Sequence, residues 1–136
     1  MSRGYIIPDR TEIERSVRLV GEYGCAFEYN DFYLPEVLDD PRKQEEIIEF
    51  YAKYRSDFSE DTMHGAFFDV TIHSSDPLIR EASILRVRQS MEIAKRMGLK
   101  GVVFHTGRLA GFRTQGYLKL WHQTNLQFFT ELAEAY

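Results

Sequence analysis

Two histidines, His64 and His105, each follow a short apolar run with the composition of a β-strand. The sequence between them predicts a loop, a long helix and the next strand, and this β-α-β order builds parallel sheets. Functional side chains of such sheets gather at the carboxyl ends of the strands. We therefore predict that the two imidazoles share one metal ion or one substrate. The alternative is a pair of buried histidines that hydrogen-bond to the backbone.

Four other polar residues stand in or just after the predicted strands. Glu28 is predicted to point away from the helices, where it either forms a salt bridge with an inward-facing Lys or Arg or serves as the catalytic acid/base group. The candidate substrate contacts are Asn30, His73 and Arg108. Asn30 is alternatively turn material, and His73 a solvated loop histidine. Arg108 is interpreted either as a clamp for an anion such as a sugar phosphate or as a solvated surface arginine.

The elements that position these residues recur about every 40 residues. Short strands are predicted at residues 5–7, 25–29, 63–70 (with the exit loop) and 102–104. Helices are predicted to begin at a capping box at Thr11, at Asp40-Pro41, at Asp76-Pro77 and near Gln115. The first and third of these helices are predicted to end at Gly24 and Gly98.

Four βα units predict an α/β fold whose parallel sheet has two unpaired edges. Eight such units close a barrel, which typically takes about 250 residues, whereas this chain has 136. The chain also ends within a helical pattern that has no stop signal. We therefore predict that residues 1–136 form one domain, the parallel (βα)4 half of a (β/α)8 TIM barrel.

The composition of the chain argues against several classes of protein. The net charge of −4 argues against sequence-independent binding of nucleic acid. A single cysteine, Cys25, excludes an intramolecular disulfide and is typical of a reducing compartment. The apolar run at the N-terminus is too short for a signal peptide, and no segment has the roughly 20 apolar residues of a membrane span. A cytoplasmic protein without a membrane partner is expected.

At the histidine motifs the chain resembles the xylose isomerase-like TIM-barrel superfamily, over roughly residues 11–136. The most specific matches are His64-Gly65-Ala66-Phe67 and Val102-Val103-Phe104-His105-Thr106-Gly107. In endonuclease IV-like members, histidines at these two strand ends bind a catalytic zinc ion. In the sugar epimerases, such positions more often contact substrate, and later strands hold the metal. The resemblance therefore implies that His64 and His105 are metal or substrate ligands and that Glu28 faces the pocket.

The resemblance implies the N-terminal part of a divalent-metal-dependent (Zn or Mn) isomerase or epimerase of a sugar or sugar phosphate. Two imidazoles are fewer than the three or four ligands of a tight site, so the chain alone is expected to be inactive or weakly active. It would be completed by a missing C-terminal half or by a second copy that covers its sheet edges. Two alternatives stay open, an endonuclease IV-like apurinic/apyrimidinic endonuclease and a non-catalytic half-barrel that assembles through its edges.

Overall fold

A computed structural model describes residues 3–136, so the first two residues of the predicted domain lie outside the described part. The strands are β1 (Tyr5–Ile6), β2 (Ala26–Tyr29), β3 (Thr62–His64) and β4 (Gly101–Val103). The helices are α1 (Ile13–Tyr23), α2 (Pro35–Leu38), α3 (Pro41–Ala52), α4 (Pro77–Met97) and α5 (Gln115–Ala135). The strands form one parallel sheet in the order β1-β2-β3-β4. The predicted fold class, a parallel (βα)4 half-barrel, is confirmed.

The register of the sheet separates two faces. Tyr29 pairs with Met63, and both are fully buried in the apolar core under the helices. Residues paired across a parallel sheet lie on the same face, and neighbours along a strand lie on opposite faces. The other face, here called the open face, is therefore formed by Glu28, Thr62, His64, Gly101 and Val103. Val103 is 41% exposed, as expected for a face that no helix covers.

A buried carboxylate joins β2 to β3 on the core side. Asp61 is fully buried and accepts hydrogen bonds from the Phe27 backbone N–H (3.0 Å) and the Tyr29 hydroxyl (2.8 Å). The Arg55 guanidinium donates two more, at 2.8 and 2.5 Å. These bonds to Asp61 raise the pKa of Arg55, and burial together with the same carboxylate raises the pKa of Tyr29. Asp61 is thus the polar centre of the core.

Most helix ends follow the predicted capping residues. Asp40 accepts from the backbone N–H groups of the first turn of α3, and Asp76 does so in α4. Gly24 and Gly98 end α1 and α4 in the left-handed conformation, with φ of 63° and 69°. A side chain would be strained at those angles, which is why glycine stands there.

One local prediction is wrong, and one helix was not predicted. The capping box at Thr11 is wrong, because Thr11 donates both its N–H and its hydroxyl to Asp9 in a 3-10 turn, and α1 begins only at Ile13. The helix that was not predicted is α2. The region predicted as the third strand with its exit loop divides at His64, where β3 ends. No helix formed by residues 3–136 is long and apolar enough to cross a membrane.

Candidate active site at the ends of β3 and β4

The carboxyl ends of β3 and β4 bring His64 and His105 into direct contact. His64 is the last residue of β3 and pairs with Val103, and His105 follows β4 by two residues. Their Nε2 atoms are 3.1 Å apart and their ring centroids 4.8 Å apart. His64 is partly buried, whereas His105 is exposed. The two imidazoles thus meet at one point of the open face, and their role as metal ligands stays a prediction.

The tautomer of His64 follows from its neighbour. His64 Nδ1 lies 3.1 Å from the carbonyl oxygen of Gly65, and a carbonyl only accepts, so Nδ1 carries the proton. Nε2 of His64 is therefore unprotonated, and its lone pair accepts a hydrogen bond from Nε2–H of His105. A histidine whose Nδ1–H is bound to a carbonyl presents its Nε2 as a ready metal ligand.

The spacing of the two nitrogens suits a shared ion. Two imidazole nitrogens bound to one tetrahedral zinc at about 2.0–2.1 Å lie about 3.3 Å apart, close to the 3.1 Å observed here. Binding would require His105 to move its proton from Nε2 to Nδ1. Among residues 3–136, no group of three or more His, Cys, Asp or Glu is placed to hold a metal ion. Within this range, His64 and His105 are thus two candidate ligands without a third.

A close backbone contact fixes the strand ends under both histidines. A Cβ atom at Gly65 would lie 2.3 Å from Cε1 of Phe104, so the Phe104 ring occupies the place of a side chain there. Phe104 also packs against Phe129 of α5, with ring centroids 5.6 Å apart. Because His64 precedes Gly65 and His105 follows Phe104, this contact restrains the backbone next to each imidazole.

An aromatic wall, formed by Tyr33, Phe67 and Phe68, flanks the histidine pair. The Phe67 ring centroid lies 4.7 Å from that of His64 and 5.1 Å from that of His105. Tyr33 stacks on Phe67 at 4.9 Å, and Phe68 is 61% exposed. The sequence analysis missed this wall as a site feature. The signal was present, since two phenylalanines come three and four residues after a strand-end histidine.

Glu28 lies on the open face in register with Thr62, one strand away from His64. No ion pair formed by residues 3–136 includes Glu28, so the salt bridge considered from the sequence is not made within that range. In the same part of the chain, Oδ1 of Asn30 and Oγ1 of Thr62 are buried and have no hydrogen-bond partner. The open face thus carries the Glu28 carboxylate and the unpartnered Thr62 hydroxyl beside His64, and Asn30 follows β2 by one residue. The catalytic role of Glu28 and the substrate role of Asn30 stay predictions.

The alternative interpretation of His73 as a solvated loop histidine is wrong. His73 is only 5% exposed, because the loop after β3 folds back onto α4 and α5. Thr71 N–H donates to Ser83 of α4 at 2.8 Å, and His73 Nε2 lies 3.1 Å from the Tyr117 hydroxyl of α5. His73 Nδ1 lies 3.5 Å from Nδ2 of Asn125. Both ring nitrogens therefore face protein groups, and substrate binding by His73 stays a prediction.

Burial lowers the pKa of His73, and this predicts a pH-dependent stability. The folded protein binds a proton at His73 less readily than the unfolded chain, whose histidine pKa is about 6.5. The contribution of the neutral His73 to the free energy of unfolding is therefore fully present above pH 6.5 and is lost as the pH falls below that value. In His73→Gln, the melting temperature should depend less on pH between 7.5 and 5 than in the wild type, as thermal unfolding at each pH measures. His122→Gln, at an exposed site on α5, is the control, and its melting temperature should depend on pH as in the wild type. If the melting temperature of His73→Gln also depended on pH as in the wild type, His73 would not be the source of the pH dependence.

Arg108 lies over the indole ring of Trp121, with the guanidinium carbon 5.6 Å from the ring centroid. Its side chain is exposed, in the loop between β4 and α5. An arginine held on an aromatic face keeps its donor edges free for an anion. The predicted contact of Arg108 with an anionic substrate group stays a prediction.

Comparisons with known proteins support the fold. The chain is similar to a D-tagatose 3-epimerase-like protein, with a TM-score of 0.64 and 17% identity over 98% of this chain and 48% of that one. It is also similar to the TTHB071 protein of Thermus thermophilus, solved after soaking with ZnCl2, with a TM-score of 0.57 and 18% identity over 93% of this chain and 52% of that one. No protein-family model and no curated protein matches the chain. These similarities confirm the predicted fold, and the chain spans about half the length of these structures.

Proposed function

We propose that this chain supplies half of the active site of a divalent-metal-dependent isomerase or epimerase of a sugar or sugar phosphate. The observation that carries the proposal is the direct contact between His64 and His105 at the strand ends of a half-barrel fold. Active sites of parallel barrels lie at this end of the strands. The structural similarity to an epimerase-like protein points in the same direction.

Each group on the open face has a role in this proposal. His64 and His105 would hold a Zn²⁺ or Mn²⁺ ion through Nε2, and such an ion supplies polarisation of substrate oxygens when bound. Glu28 takes the proton from the carbon next to the substrate carbonyl and returns it, which requires a carboxylate free of a salt bridge. Asn30 and Arg108 contact hydroxyl or phosphate groups. The aromatic wall packs against the apolar edge of the sugar and excludes water.

The other half of the barrel is expected along β4. Beside this free edge, α5 and the loop before it form a groove of apolar character, lined mainly by Trp121, Leu126, Phe129 and Ala133. Leu126 is 61% exposed there. A second half, either a C-terminal continuation or a second copy, would bury this groove, pair with β4 and add the missing ligands. The proposed protein is cytoplasmic, which the free Cys25 supports.

Deuterium incorporation tests the function directly. The chain is incubated with Zn²⁺ or Mn²⁺ and a panel of ketoses and aldoses in D2O, and NMR follows exchange at the carbons next to the carbonyl. Because the chain supplies half of the site, we expect slow exchange, followed over long incubations at protein concentrations where two copies associate. Glu28→Gln should lower this exchange to the background rate, as for loss of a general base. Glu45→Gln, at an exposed site on α3, is the matched control and should keep the rate. Exchange that is absent from the associated chain, or that survives Glu28→Gln, would overturn the proposal.

Hydrolysis at abasic sites in DNA is the second candidate, and the paired imidazoles favour it because they suit a zinc cluster. The net charge of −4 argues against it, since binding to a DNA backbone needs clustered cations. Cleavage of a duplex with one abasic site by the zinc-loaded chain, in place of sugar exchange, would select this candidate. If the chain shows neither activity but associates as its concentration rises, the non-catalytic half-barrel would be selected.

A further inference from the structure

The loop that follows His105 is fastened to α5 by two hydrogen bonds. The backbone N–H of Leu109 donates to the Tyr117 hydroxyl at 2.8 Å. The indole N–H of Trp121 donates to the carbonyl oxygen of Thr106 at 3.3 Å. Between these points, Gly107 has a φ of 64°, and a Cβ atom there would lie 2.3 Å from the carbonyl oxygen of Val70. The loop after β4 is therefore pressed against the loop after β3.

The Tyr117 hydroxyl also reaches the loop after β3. It lies 3.1 Å from Nε2 of His73. Asn125 Nδ2 donates to the Trp121 carbonyl at 2.8 Å and faces His73 Nδ1, which fixes Nδ1 as an acceptor. The proton of the neutral ring is then on Nε2, which donates to the Tyr117 oxygen. One hydroxyl oxygen thus accepts from both loops.

The His105 ring depends on this backbone for its position. The ring is exposed, and among residues 3–136 its hydrogen-bond partner is His64 and its aromatic neighbours are His64 and Phe67. Within residues 3–136, no helix donates or accepts a hydrogen bond at the His105 ring. A shift of the loop after β4 would therefore move His105 away from His64.

We propose that Tyr117 is a positioning residue, whose hydroxyl ties the loops after β3 and β4 together and thereby keeps His105 within bonding distance of His64. The proposal rests on the proposed function only in taking the histidine pair as the point where ligand binds. Phenylalanine at position 117 would keep the ring and its packing against His73, with centroids 5.5 Å apart, but would leave Leu109 N–H and His73 Nε2–H without their acceptor.

NMR of the histidine side chains tests the proposal without sugar. The chain has four histidines, so their imidazole signals are assigned from single substitutions. In the wild type, nuclear Overhauser contacts between the imidazole protons of His64 and His105 should report the close approach of the two rings. In Tyr117→Phe these contacts should be lost, and Zn²⁺ should bind at least about tenfold more weakly, as for loss of other supporting groups around metal ligands.

Tyr136→Phe is the matched control. Its hydroxyl belongs to the residue just after α5 and donates to Glu92 at 2.6 Å, far along the helix from both loops. This variant should keep the contacts between the two imidazole rings and the Zn²⁺ affinity. If the contacts persist in Tyr117→Phe, the proposal is overturned, whatever the sugar assay shows. If Tyr117→Phe abolishes the contacts and the wild type shows no sugar exchange, the positioning role is retained and the isomerase function is overturned.

If Tyr117→Phe folds poorly, variants of His73 test the same link between the two loops. His73→Gln retains an N–H donor that reaches the Tyr117 oxygen, whereas His73→Phe has none. We expect the contacts between the imidazole rings of His64 and His105 to survive in His73→Gln and to weaken in His73→Phe. Equal behaviour of the two variants would contradict the link between the loops.

Discussion

Asparagine in place of Asp61 is expected to reduce the free energy of unfolding by about 3–5 kcal/mol, the usual cost of breaking a buried ion pair by removing one partner. The carboxylate is fully buried and accepts hydrogen bonds from Phe27 N–H, Tyr29 and Arg55. The amide cannot neutralise Arg55, whose side chain is only 22% exposed. Such a loss is a large part of the roughly 5–15 kcal/mol that stabilises a typical domain. Urea unfolding followed by circular dichroism measures it.

Two variants isolate the cause of this loss. Tyr29→Phe removes one hydrogen bond to Asp61 and should cost about 1 kcal/mol. Glu60→Gln neutralises the preceding residue, whose exposed carboxylate pairs with Arg3 and Lys100, and should have little effect because water screens such pairs. If Asp61→Asn were no more harmful than Glu60→Gln, the central role of Asp61 in the core would be refuted.

Alanine in place of Gly107 should destabilise the fold by about 2–5 kcal/mol, the sum of a left-handed backbone cost and an overpacking cost. The φ of 64° accounts for the first part. The second arises because the new methyl group would lie 2.3 Å from the Val70 carbonyl oxygen, which belongs to the backbone and has little room to move. The two loops would separate, so Zn²⁺ binding at the histidine pair should weaken as well. Urea unfolding and zinc titration measure the two effects.

Gly24→Ala is the appropriate control for Gly107. Gly24 has nearly the same φ, 63°, but no atom within 4 Å of an added Cβ. It should therefore show only the backbone cost of about 1–2 kcal/mol and leave zinc binding unchanged. Equal destabilisation by the two substitutions would show that the contact with Val70 does not matter.

The fold was predictable because its signals are local. The Asp-Pro pairs at 40–41 and 76–77 and the glycines at 24 and 98 act within one turn of the helix that they begin or end. The error at Thr11 has the same origin, since Asp9, two residues earlier, competed for the hydroxyl. Asp61 was not predictable as a core residue, because its partner Tyr29 is 32 residues away in sequence.

The candidate site was predictable only in part. Topology alone brings His64 and His105 together, since each stands at the end of one of two adjacent parallel strands. The burial of His73 and the bridging role of Tyr117 depend on how α5 packs over two loops, and His73 and Tyr117 are 44 residues apart in sequence. No local pattern encodes that packing.

The shortness of the edge strands determines how selective assembly can be. β1 pairs with β2 through two residues, and β4 comprises three. Edges this short offer a stray chain few backbone hydrogen bonds, which limits indiscriminate aggregation. In the proposed assembly, selectivity would then depend on side chains along the edges, so that a second half would have to match the surface shape of this sheet as well as its strand direction.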